Sequence, residues 1–147
     1  MTDHSKKGYG SMTQAEVKKR LLTVDIAYRR YAAARDKADS YRMQLMGRAV
    51  RYEEKGGRSE SNSTEEGYMK LSELDESTDT AKASWLCARE DAERIIAMCP
   101  AEIWVQVLTY RYLNRYRFED IAMVLGYSDR HIYRAHKKAL QFLAAEL

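Results

Sequence analysis

From Leu71 to Cys99 the residues Leu71, Leu74, Thr78, Ala81, Trp85, Ala88, Ala92, Ile95 and Cys99 step by three and four without a break. A strand repeats every two residues, so this run admits only a helix, and the alternation is the seam of a left-handed coiled coil about four heptads long. A matching stripe lies upstream at Ala27, Tyr31, Ala34, Ala38, Tyr41, Leu45, Ala49 and Tyr52, inside a helical pattern running from about Thr13 to about Glu54. One proline in 147 residues, only two Phe and 32% charged residues agree with an all-α chain, and 45% hydrophobic residues suffice for a core. The run of Gly, Ser, Asn and Glu over 55–67 separates the two patterns and is expected to be a flexible loop, as residues 1–12 are expected to be disordered.

The two arms differ in charge. Residues 1–54 carry twelve Lys or Arg against seven acids, a balance of +5, and residues 55–100 carry six against ten, a balance of −4. Opposite arms joined by a loop fold back most simply as a long antiparallel hairpin, with charge setting the choice of partner more than the stability. Tyr- and Ala-rich seams are thin, so the hairpin over 13–99 is also expected to pair with a second copy of the chain.

Pro100 marks the expected boundary, since proline is tolerated in a first helical turn. Residues 101–113, with Ile103, Trp104, Val107 and Leu108, would then open a C-terminal domain over 100–147. Within it Phe118, Ile121, Ala122 and Leu125 form one apolar stripe, and Ile132, Ala135, Ala139 and Leu143 form another. Gly126 follows the first stripe, where a helix end needs positive φ, and Ser128 precedes the second as an N-cap with Asp129 near the positive end of the helix dipole. The unit is helix, short turn, helix. Arg130, Tyr133, Arg134 and Lys137 share the face that the apolar stripe leaves free. From Arg111 to Lys138 there are seven Lys or Arg against three acids, a balance of +4, and this is the physical form of a helix-turn-helix whose second helix enters a DNA major groove.

The segment over 107–143 resembles region 4 of the sigma-70 type RNA polymerase sigma factors. The motifs that carry the likeness are Arg111-Tyr112-Leu113, Glu119-Asp120-Ile121-Ala122, Leu125-Gly126-Tyr127-Ser128 and Ala139-Leu140. The chain departs from that family at Arg117, where Ser or Thr often caps the helix, and at Asn114-Arg115-Tyr116, where the turn usually holds Gly. Asn114 tolerates the left-handed conformation such a turn requires. With the hairpin included, the whole chain is similar to the small sigma-like transcriptional regulators encoded by phages and prophages of Gram-positive bacteria. The pattern over 127–140 is typical of that group.

The resemblance implies double-stranded DNA as a partner. Base edges would be met by Arg130, Tyr133, Arg134 and Lys137, and the DNA backbone by Arg115, Arg117, Ser128, His131 and Lys138. It also implies a transcription regulator that reads a promoter element, with RNA polymerase as a candidate partner and the hairpin serving self-association. A different class combines the same parts: the phage DNA-packaging adaptor, or small terminase subunit, in which the hairpin builds a ring. A third class is a helical module that binds only protein.

Catalysis has little to stand on. His131 and His136 lie about 140° apart around one helix and cannot share a metal, and no nucleophile elbow, phosphate loop or dinucleotide fingerprint occurs. Neither an enzyme nor a cofactor is therefore expected. Cys87 and Cys99 lack metal or redox spacing, no apolar run reaches the roughly 18–20 residues that span a bilayer, and the N-terminus has no apolar leader. A cytoplasmic protein with no membrane partner is expected.

Overall fold

Thr13 and Glu16 exchange hydrogen bonds: the Thr13 N–H donates to Glu16 Oε2 at 2.8 Å, and the Glu16 N–H donates to Thr13 Oγ1 at 3.2 Å. This capping box starts helix α1, Gln14–Glu54, where the periodic pattern begins. The computed structural model describes residues 12–54 and 61–147, and these hold helices and their connections with no strand among them. The disorder expected for residues 1–11, and the part of the expected loop at 55–60, lie outside the described residues.

Helix α2 spans Ser61–Ile96. Residues 61–67, expected as the end of the loop, are therefore helical. Gly67 is buried, and a Cβ placed on it would lie 2.7 Å from Leu45 Cδ1. The glycine that reads as a chain breaker instead lets α2 come close to Leu45. All nine positions of the Leu71–Cys99 seam are buried or half-buried, and the seam continues back through Gly67 to Thr64. On α1 the expected stripe is buried or half-buried from Ala27 to Leu45, while Ala49 is exposed. Val17, Leu21 and Val24 extend it toward the N-terminus and are fully buried.

Partners rise along α1 as they fall along α2: Arg20 with Asp91, Tyr31 with Trp85 and Arg42 with Asp75. The arms are antiparallel, and both ion pairs join the basic arm to the acidic one. Tyr31 and Trp85 stack with centroids 5.5 Å apart, and Tyr28 meets the same indole edge-on at 5.2 Å. Two half-exposed ion pairs add little to stability, so the apolar seam holds the hairpin and the charges specify its pairing.

The chain divides into two compact units, and the division is not the one expected at Pro100. One unit is Ala27–Leu86; the other joins the described residues up to Ile26 with Cys87–Leu147. The open ends of the hairpin arms thus belong with the C-terminal helices, rather than with a separate hairpin domain over 13–99. Long-range pairing accounts for the difference: Arg115 Nε lies 2.6 Å from Asp25 Oδ1 of α1.

Helix α3, Glu102–Leu108, begins at an extended Ala101 with no side-chain cap. The expected single helix through residue 113 widens after Leu108 into a π-helical turn, Thr109–Leu113, closed by the Asn114 N–H on the Thr109 carbonyl at 3.0 Å. Positive φ then falls on Arg115 (62°) and not on Asn114 (−98°), which corrects the expectation for that turn. With the chain turned this way, Tyr116 N–H reaches the Tyr110 carbonyl at 2.9 Å and Arg115 reaches Asp25. Helices α4, Phe118–Leu125, and α5, Asp129–Glu146, complete the fold. Val107, Ile121, Ala122, Ile132 and Ala135 form their shared core, with Ile103, Trp104, Tyr110, Phe118 and Leu125 packed around it.

Candidate nucleic-acid interface

The turn between α4 and α5 follows from three residues. Gly126 takes φ 74°, ψ 30°, a left-handed conformation that costs a residue with a Cβ about 1 kcal/mol or more. The Gly126 and Tyr127 N–H groups both donate to the Ala122 carbonyl, at 2.9 and 3.0 Å, closing α4. Ser128 then caps α5 by accepting from the His131 N–H at 3.2 Å. Gly126 and Ser128 thus act as their positions in the sequence predict. Arg117 occupies the N-cap of α4 with no capping hydrogen bond, and two acids in the first turn, Glu119 and Asp120, complement the dipole instead.

Helix α5 is divided cleanly by burial. Ile132, Ala135, His136, Ala139, Leu140 and Leu143 face inward, and Arg130, His131, Tyr133, Arg134, Lys137 and Lys138 are exposed. The four base-edge candidates therefore share one solvent-facing surface of one helix. Tyr133 leans on Phe118 with centroids 4.7 Å apart, so its ring is positioned by α4 while its edge stays in solvent. Tyr127 stacks on His131 at 4.5 Å, placing two aromatic rings beside the helix N-terminus. Gln141, also exposed on α5, follows Arg134 and Lys137 at helical spacing and was not singled out by its sequence position.

The backbone candidates separate further. Arg117 and Lys138 are exposed, and Arg117 makes a long 3.4 Å contact with Asp120. Arg115 is committed to Asp25, so it already has a structural role. Arg111, counted in the basic balance of the segment, is not a surface charge in the same sense. Its guanidinium lies 4.5 Å from the centre of the Phe118 ring, and Nη1 donates to the Tyr116 carbonyl at 3.1 Å. Such a cation–π contact ties the π-helical turn to the first residue of α4.

Beneath the exposed face lies a polar pair that sequence reading missed. Tyr112 Oη and His136 Nε2 share a hydrogen bond of 2.7 Å, with Tyr112 3% and His136 8% exposed. Burial pushes the His136 imidazole down to about 4, aided by the positive charges of Lys18 and Arg111, and pushes the Tyr112 phenol up to about 12. Both are neutral near pH 7. The pair joins the π-helical turn to α5 and so sets how the helix sits on its support. His136 falls four residues after Ile132 and three before Ala139, so helical spacing alone marks it as inward-facing.

Among the described residues no cluster of His, Cys, Asp and Glu could hold a metal ion, and no helix is long and apolar enough to cross a membrane. Compared with protein-family models, curated proteins and solved structures, the chain finds no match.

Proposed function

We propose that this protein is a sequence-specific, double-stranded-DNA-binding transcription regulator of the sigma-region-4-like kind, which reads a promoter element through α5. The observation that carries this reading is the exposed row of Arg130, Tyr133, Arg134 and Lys137 on a helix whose opposite face is buried and whose N-terminus is capped. A capped helix supported along one side, with arginines and a ring on the other, has the form that meets base edges in a major groove. Lys138 and Arg117 suit phosphates on either side. On this reading the chain acts in the cytoplasm, catalyses nothing, meets RNA polymerase at the promoter and self-associates through its hairpin.

Selection from sheared genomic DNA, followed by sequencing of what the protein retains, tests the reading. A single short motif enriched upstream of genes supports it, and enrichment at one packaging site would instead favour a packaging adaptor. On the selected site, Arg134→Ala is expected to cost about 1–3 kcal/mol and relax specificity, while Lys138→Ala weakens all sequences alike and reduces the salt slope by about one. No retention at low salt would remove the proposal.

A further inference from the structure

Among the described residues two glycines lie inside the helices of the unit Ala27–Leu86, and only one has a reason within the chain. Gly67 is demanded by Leu45, as described above. Gly47 is not: a Cβ built on it meets nothing within 4 Å. A glycine in a helix interior lowers helix stability, so one that serves no internal contact calls for an external one.

Its surroundings identify a surface. Met43, Met46 and Val50 flank Gly47 and are between 54% and 74% exposed, unusual for three apolar residues within two helical turns. Met43, Gln44, Gly47, Arg48 and Arg51 line a groove of about 430 Å³. Met43, Gly47 and Val50 step by four and three, a short second seam on the side of α1 away from Leu45. Arg48 and Arg51 run along the groove.

The complementary surface is on α2. Glu65, Met69, Ser72 and Glu76 step by four, three and four on the side opposite Gly67, and all are exposed, with Tyr68 and Glu73 beside them. That stripe holds Met69 beside Tyr68 and Ser72 at its centre and glutamates at its ends, whereas the α1 groove is apolar at its centre and basic along one edge. We propose that the outer face of α1 around Gly47 receives the outer face of α2 around Met69 from a second copy of this chain. Gly47 lets the two backbones approach, the methionines adapt to the apolar stripe, and Arg48 and Arg51 meet the glutamates. Each face lies opposite its own seam, so the two look away from one another on one hairpin. The contact is therefore head to tail, and it extends beyond a pair or closes into a ring. This deepens the self-association included in the reading above and rests on that part of it.

Sedimentation of the full-length chain over a wide concentration range tests the inference. The mass is expected to rise with concentration above that of one chain. Gly47→Leu is expected to raise the dissociation constant at least about tenfold without lowering the melting temperature, because leucine is the better helix former. Arg48→Glu with Arg51→Glu is expected to weaken association as well, and combining it with Glu65→Lys and Glu73→Lys to restore it. A chain that stays monomeric throughout, or a Gly47→Leu chain that associates as the parent does, overturns the inference. DNA retention measured on the same samples keeps the two questions apart: a monomer that retains DNA overturns only the docking surface, and an assembly that retains none overturns only the DNA reading.

Discussion

At His136 a single buried imidazole makes the stability of the helix support depend on pH. The unfolded chain takes up a proton near its ordinary value of 6.5, whereas the folded chain does so only near 4. The neutral form is therefore the one that folding favours. The stabilisation is complete above about pH 6.5 and declines as pH falls toward 4, by on the order of 3 kcal/mol across that window. Urea unfolding at pH 7 and pH 4.5 measures the decline. His136→Gln keeps a partner for the Tyr112 hydroxyl but does not titrate, and it is expected to flatten the difference. An unchanged difference in that variant would assign the pH dependence to the carboxylates. Asp91, held below the usual carboxylate range by its hydrogen bonds to the Arg20 guanidinium, is one whose contribution falls away only at lower pH.

At the scale of the element, the start of α2 depends on one contact. Gly67 costs helix propensity of about 1 kcal/mol relative to Ala, and the close approach of Leu45 is what it permits. In the parent chain Gly67→Ala gains that propensity but forces the Leu45 side chain aside, so its net effect on stability is expected to be small or unfavourable. In a Leu45→Ala background the obstruction is gone, and the same substitution is expected to stabilise by close to the full 1 kcal/mol. The double-mutant cycle, read by thermal unfolding, checks this; equal effects in both backgrounds would show that Leu45 does not constrain the glycine. The seam of α2 was legible because nine residues repeat the same steps, which any helix of that length must express on one face. Its first turns were not, because a glycine among serines and glutamates reads the same way whether it breaks a helix or admits a neighbour.

For the whole molecule, the division into units decides what can be cut. Because the ends of both hairpin arms belong with α3, α4 and α5 in one compact unit, a fragment of residues 101–147 alone lacks part of the unit it folds in. That fragment is expected to lose cooperative thermal unfolding. A chain in which Ile26 and Cys87 are joined by a short Gly-Ser linker in place of 27–86 is expected to keep it. Calorimetry of the two distinguishes the observed division from a boundary at Pro100, which would predict a cooperative transition for the fragment.

What the sequence determined by itself is local: the helical period of both arms, the capped start of α5 at Ser128, the left-handed Gly126, and the basic row on α5. Each rests on residues within about one or two turns of one another, where backbone hydrogen bonding and side-chain spacing leave few choices. Tertiary structure decided what joins distant parts. Asp25 meets Arg115 across 90 residues, Arg20 meets Asp91 across 71, and Tyr112 meets His136 across 24. Those pairings took Arg115, the residue at positive φ, into a structural contact and buried one of two histidines on the same helix. Burial and charge act through space, and the order of residues along a chain specifies which side chains will be neighbours only once the helices have packed.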